Sequence, residues 1–337
     1  MINEIGSEFW DVCVHDSHNV LFPQETQWYV AGRSALQAII KDLHGKKSVA
    51  MPSWCCDSMI RPFVEAGFQV DFYPVYFDGH QIRQKPTLKS DVLFLMEYFG
   101  YSSVDTREIK HPCIVRDMTH SIFSTMHSDA NYYFGSLRKW SGFWTGGYAW
   151  TADGHPLPSS EVDNQDYVQL RQKAMDLKKA YIEHIDFSNV SKERNKLHLE
   201  VFGQAEEMLE GIGIAPAAQR DIDFAACLDI PLIRRKRRAN ANVLRRELSK
   251  YLLFPTMAAT DCPMFVPVVF PAEKRKVLRQ ALIQEKIYCP IHWPISEYHQ
   301  LDNITRSLYN EELSLVCDQR YSEDDMERIV NVIKRLE

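Results

Sequence analysis

Three short stretches of this chain hold residue types that could do chemistry. The first is Ser136-Leu137-Arg138-Lys139, set inside the aromatic run YYFGSLRKWSGFWTGGYAW (132–150). A lysine ammonium is costly to bury, and its pKa shifts readily when it is desolvated. Lys139 therefore either reaches solvent from a sheet edge or is held neutral and buried as a nucleophile. The second is CIVRDMTHS (113–121), in which Asp117 directly follows the strand pattern 112–116 and His120 stands three residues further on. That is the strand end at which α/β sheets place ligands. The third is AGRSAL (31–36), where Gly32, Arg33 and Ser34 immediately precede the first clear helical pattern. Free N–H groups and the helix dipole favour a phosphate at such a point.

Each stretch has more than one use. Ser136 could be a nucleophile with Lys139 as its base, as in penicillin-binding proteins, but the later S-D-N and K-T-G elements of those proteins are missing. Lys139 could instead form a Schiff base with pyridoxal phosphate while Ser136 bonds the cofactor phosphate. SxxK alone is also an ordinary loop at a strand end. Asp117 could bind a metal, act as a base or hold a ring-nitrogen proton. With no second carboxylate or ligand cluster beside it, only the last use suits it. Asp117 and His120 are equally common turn formers, and Ser34 reads as a simple helix N-cap.

The elements that must position these residues alternate. SALQAIIKDL (34–43) places Ala35, Leu36, Ile39, Ile40 and Leu43 on one helical face. KSVAM (47–51) is a strand closed by Pro52, and DSMIRPFVEAG (57–67) is a helix that Asp57 can cap and Gly67 can end. FQVDFYPV, DVLFLM, PCIVR, NYYFG and GGYAWT follow as strands. This alternation predicts a mostly parallel sheet with both faces covered by helices. Residues 160–210 turn charged and helical, and 230–252 reads as one long basic helix. A strand at MFVPVVF, an amphipathic helix, YCPIHWP and a closing helix complete the chain. The expected plan is a large α/β domain, 1–222, and a smaller C-terminal α+β domain, 223–337.

The 337 residues carry a formal charge of −6, with 45% apolar and 25% charged residues. That balance speaks against a nucleic-acid binder, and the basic run in 230–252 reads as a solvated face or a domain junction. No apolar run approaches membrane length. The eight cysteines contain no CxxC, which points to reduced thiols, no metal site and a cytoplasmic protein.

A phosphate cradle, a strand-end Asp and an SxxK lysine, about 84 and 22 residues apart, occur in the order found in fold-type-I pyridoxal phosphate enzymes. In particular the chain resembles the DegT/DnrJ/EryC1/StrS aminotransferase family. GRSALQAII is similar to its phosphate segment, MPSWCCDSMIRPFVEAGFQVDFYPV to its strand, ring-facing loop and helix, and LFLMEYFG and RDMTHS to its next strand ends. SLRKWSGFWTGGYAW resembles its lysine loop and Gly-Gly turn, and YCPIHWP and LSLVCDQRYSEDDMERI its small-domain signatures. The resemblance implies that Lys139 carries the cofactor and Asp117 partners its ring nitrogen. His120 falls where the family has Gln or His. Ser136, with Gly32 and the backbone of Arg33 and Ser34, would hold the phosphate, although many members keep that serine where this chain has Phe134. The family stacks an aromatic residue or His on the ring, and the counting falls on Cys56 or on Trp54, the better physical platform. A carboxylate about 4 Å from a ring cation is worth roughly 4 kcal/mol at an effective dielectric near 20, enough to keep the ring nitrogen protonated.

The function so implied is a homodimeric sugar aminotransferase of sugar or polysaccharide biosynthesis, with active sites shared between subunits. Its substrates would be a nucleotide-linked keto-sugar and glutamate as amino donor. Lyase or dehydratase chemistry on the same cofactor is the alternative within enzymes, although the dehydratase relatives replace the lysine with His. A non-catalytic binding or regulatory protein of this fold is the alternative outside them.

Overall fold

A computed structural model describes residues 4–86, 89–102, 109–125, 129–159, 162–183 and 189–336. In chain order the elements are β1 (Gln27–Tyr29), α1 (Gly32–Asp42), β2 (Ser48–Pro52), α2 (Asp57–Glu65), β3 (Gln69–Tyr73), β4 (Val75–Phe77), β5 (Ile82–Gln84), β6 (Val92–Met96) and β7 (Ile114–Asp117). Then come β8 (Tyr132–Ser136), a 3-10 turn (Leu137–Lys139), β9 (Gly147–Thr151), α3 (Gln165–Glu183), α4 (Asn189–Gly211) and α5 (Gln219–Ala226). The remainder is α6 (Ile230–Glu247), a second 3-10 turn (Ser249–Tyr251), β10 (Phe265–Val269), α7 (Ala272–Gln284), α8 (Asn303–Glu311), β11 (Glu312–Val316) and α9 (Glu323–Lys334).

Seven strands make the main, mostly parallel sheet, and the chain divides into two compact units that are each discontinuous in sequence. The first unit comprises Met1–Ser7, His44–Tyr133 and Ile230–Glu337. Its strands run β3-β2-β6-β7, every neighbour parallel. All residues of β6 and β7 are buried, which is why β6 reads as a continuous apolar run rather than an alternating one; β7 buries Arg116 and Asp117 as well as Ile114 and Val115. The antiparallel pair β10–β11 carries a separate core, in which Val266, Val268, Leu313 and Leu315 pack with Leu244 of α6 and Ile329 of α9. Ser322 and Asp325 form a capping box that starts α9.

The second unit comprises Glu8–Leu43 and Phe134–Asp229. Here β1 pairs antiparallel with β9, and β8 lies next to β9. Val30 and Ala31 pack against Tyr167 and Val168 of α3 and Ala205 and Leu209 of α4.

Several local expectations shift. Helix α1 begins at Gly32 with Ala31 as N-cap, so Ser34 lies inside the first turn and is not the cap. Asp57 is the first residue of α2 rather than its cap, and forms an ion pair with Arg61 at 2.7 Å. The basic helix ends at Glu247; Arg234, Arg237, Arg238 and Arg245 donate to backbone oxygens, while Arg235 and Arg246 are exposed. Arg237 is 1% exposed and donates to Met264 O at 2.9 Å, while Arg238 donates to Ala258 O at 2.7 Å and Arg245 to Phe254 O at 2.6 Å. Among the described residues no helix is long and apolar enough to cross a membrane.

Candidate active site

In the first unit, Asp117 is the last residue of β7 and is 2% exposed. Its Oδ1 accepts the Thr119 N–H at 2.7 Å, a turn contact that fixes the carboxyl after the strand ends. Burial pushes its pKa up to about 6; the Thr119 hydrogen bonds oppose that, and the charge of Glu97 adds to it. An acid in this state is prepared for a cationic or proton-bearing partner, which would draw it back to the carboxylate.

His120 lies on the same turn and is 4% exposed. Its Nδ1 accepts the Phe99 N–H at 3.4 Å, which leaves the proton of a neutral ring on Nε2. The ring lies between aromatic neighbours, 4.9 Å from Phe99 and 5.7 Å from Trp293 between centroids. Phe99 itself has φ 53°, a left-handed conformation that a bulky residue holds only under constraint.

The loop after β2 separates the two proposed ring platforms. Trp54 is fully buried, stacks on Tyr98 at 4.8 Å and 18°, and donates Nε1–H to His292 O at 2.7 Å. It is a core residue here, and the expectation that it offers an open face to a ring is corrected. Cys56 remains partly exposed, with Sγ 2.8 Å from Ser58 Oγ. The intervening Cys55 is enclosed, and its backbone is gripped by Tyr309 Oη, which accepts its N–H at 3.0 Å, and by His299 Nε2, 3.0 Å from its carbonyl.

In the second unit, Gly32 opens α1 directly over the end of β8. A Cβ at Gly32 would lie 3.2 Å from Ser136 Cβ, and one at Gly147 would lie 2.1 Å from Ala31 O. The glycines thus let the helix start, the Ser136 strand end and the Gly146-Gly147 turn approach one another. Leu137 N–H donates to Gly146 O at 2.8 Å and closes the group. Ala31 has no side chain with which to cap the helix, so the first-turn N–H groups remain available to an anion. Ser34 directs its hydroxyl to Gly213 O at 2.7 Å, and Arg33 pairs with Glu210 at 3.5 Å.

Lys139 ends the 3-10 turn and is exposed, so of the two placements left open by the sequence it takes the one that reaches solvent. Its neighbour Arg138 pairs with Glu206 of α4, which also accepts from Arg171 of α3 at 3.2 Å. Burial alone would raise the Glu206 carboxyl, but Arg138, Arg171 and Lys139 together hold it below its usual range. Burial also lowers Arg171, to about 10. Nothing in the sequence pattern marks Glu206 or Arg171 as part of this group, since both lie on charged helices 35 residues apart. Among the described residues, no cluster of three or more His, Cys, Asp or Glu side chains could hold a metal.

No protein-family model and no curated protein matches the chain in sequence. Solved structures do match in fold. Helicobacter pylori PseC, an aminotransferase involved in the biosynthesis of pseudoaminic acid, is 13% identical, with 98% of this chain and 99% of that one covered at TM-score 0.65. A Streptococcus pneumoniae chain named as a sugar aminotransferase, Spr1654, in its PMP form, is 14% identical over 92% and 85% of the two chains at TM-score 0.62. A DegT DnrJ EryC1 StrS aminotransferase from Brucella abortus is 15% identical over 92% and 85% at TM-score 0.59. The fold is that of the fold-type-I pyridoxal phosphate aminotransferases.

Proposed function

We propose that the protein is a pyridoxal phosphate-dependent aminotransferase that aminates a keto-sugar. The observation that carries this reading is the meeting of Gly32 and Ser136, distant in sequence, at one end of the turn that bears Lys139. An open helix N-terminus beside a serine hydroxyl fits a phosphate, and the enclosed Asp117 carboxyl, raised to about 6, fits a protonated ring nitrogen. The residues that would hold the cofactor are Ser136 and the backbone of Gly32, Arg33 and Ser34 for the phosphate, Asp117 for the ring nitrogen, His120 and Cys56 beside the ring, and Lys139 for covalent attachment. When bound, the group supplies an electron sink and a store for the amino group. Lys139, released from it, would move the proton at the substrate's α-carbon. Asp117 would keep the ring nitrogen protonated, and the Thr119 N–H would hold Asp117 in place.

The nucleotide linkage, glutamate as donor, a cytoplasmic homodimer with shared sites and a 1–222/223–337 division belong to the same reading, supported by the resemblance in sequence and fold. Light scattering should give a dimer. In the decisive half-reaction, glutamate alone should bleach the yellow, cofactor-loaded protein stoichiometrically and release 2-oxoglutarate. A nucleotide-linked keto-sugar should then restore the colour. Turnover with no stable bleached form would mean a lyase, and no response to any amino donor would leave the fold without the activity.

A further inference from the structure

Beneath Asp117 the chain buries an ion pair that this function does not call for. Successive residues of a strand point to opposite faces, so Arg116 and Asp117 lie on opposite sides of β7. Arg116 is 0% exposed; its Nη1 lies 3.1 Å from Glu97 Oε1, and its Nη2 donates to Asp129 O at 3.3 Å. Glu97 follows β6, whose register sets Met96 opposite Asp117.

From that position Glu97 makes three attachments around one turn. Its N–H donates to the Asp117 carbonyl at 3.4 Å, its Oε1 takes Arg116, and its Oε2 accepts the Ser121 hydroxyl. The turn is closed on itself by Ser121 N–H donating to Met118 O at 3.0 Å, and it carries His120 as well as Asp117. Buried ion pairs are often no more stabilising than apolar residues of the same volume, so stability alone gives weak reason to keep this one.

We infer that Glu97 is the positioning residue for Asp117, fixing the turn that carries Asp117 and His120 and setting a negative charge behind the Asp117 carboxyl. What Asp117 does rests on the proposed function; what Glu97 does to Asp117 rests on the geometry. The groups facing Asp117 are Thr119 on its own turn, Glu97 after β6, Tyr98 beside Glu97, and Cys55 in the loop after β2. Burial raises both the Tyr98 hydroxyl and the Cys55 thiol well above their usual values and keeps them neutral. The charge bearing on Asp117 from this set is that of Glu97.

The test is a carbon-13 NMR titration of the Asp side-chain carboxyls in the full, cofactor-free chain, with Asp117 assigned through Asp117→Asn. Glu97→Gln keeps the shape and removes the charge, so the Asp117 midpoint should fall by about one pH unit or more, with circular dichroism unchanged. An unchanged midpoint overturns the inference. Should Glu97→Gln fail to fold, Glu97→Gln with Arg116→Met removes both charges and leaves no buried ion unpaired. Its Asp117 midpoint is read against that of Arg116→Met alone, so that only the Glu97 charge differs; a fall is again expected, and its absence has the same force. The titration needs no cofactor. A chain that never binds pyridoxal phosphate would sink the proposed function while leaving the effect of Glu97 measurable.

Discussion

The turn that carries Asp117 and the turn that carries Lys139 handle charge in opposite ways. Asp117 is 2% exposed and has its pKa raised first by burial. Lys139 is exposed, beside a carboxylate that Arg138 and Arg171 share. The acid is thus tuned by removing water, a property of rigid packing that does not wait for a ligand. The amine sits where counter-charges are managed, on a turn anchored by its buried neighbours Leu137 and Trp140 rather than by its own side chain. Under the proposed function, a group that only holds a proton would gain from enclosure, whereas one that forms and breaks a bond would need reach.

The largest effect should come from breaking the enclosed side. Asp117→Asn should lower turnover on the order of a thousandfold or more, because roughly three pKa units of ring-nitrogen stabilisation are lost. The same change should stabilise the cofactor-free chain. The folded pKa of Asp117, about 6, lies above its ordinary 3.8, so the folded state favours the protonated acid. That preference contributes fully below 3.8 and is lost as pH rises through about 6, where ionised Asp117 costs up to about 3 kcal/mol. Thermal melts should show Asp117→Asn gaining on wild type above pH 6 and matching it at pH 4. A loss of stability at pH 8 would contradict the account of burial.

Next in size is the charged side. Glu206→Ala leaves Arg138 and Arg171 without their shared partner. Allowing for the part exposure of Glu206, it should cost about 1 to 2 kcal/mol in denaturant unfolding. No change would mean that the arginines are satisfied elsewhere. A smaller effect is expected for His120→Gln, since an amide can replace a ring nitrogen that accepts one backbone N–H; turnover should stay within about tenfold, and a larger loss would give His120 a proton-transfer role. The smallest concerns α6: with Arg234, Arg237, Arg238 and Arg245 committed to carbonyls, measurable salt-sensitive DNA affinity is not expected, and finding it would contradict that reading.

The positions of these residues were legible in sequence to different degrees, for physical reasons. Asp117 could be read because it ends a strand, Lys139 because it follows the strand β8 by one short turn, and Gly32 because it stands just before a helical period. The three-residue strands β1, β4 and β5 are too short to carry a period. Helix α8 and its Asp302 cap lie in a polar segment with few apolar positions. Trp54 looked like a ring platform because its type suits one, but residue type does not reveal which face the fold uses, and Tyr98 takes it. Glu97 and Glu206 were invisible as site residues because their partners, Arg116 and Arg138, become neighbours only through β6–β7 pairing and the return of α4.

The account depends most on Lys139 being the residue that binds the cofactor. Full-length protein loaded with pyridoxal phosphate should be yellow, and borohydride reduction followed by peptide mapping should find the label on Lys139. Lys139→Ala should lose the label and the activity together. A label on any other lysine, or equal labelling in Lys139→Ala, would contradict the assignment.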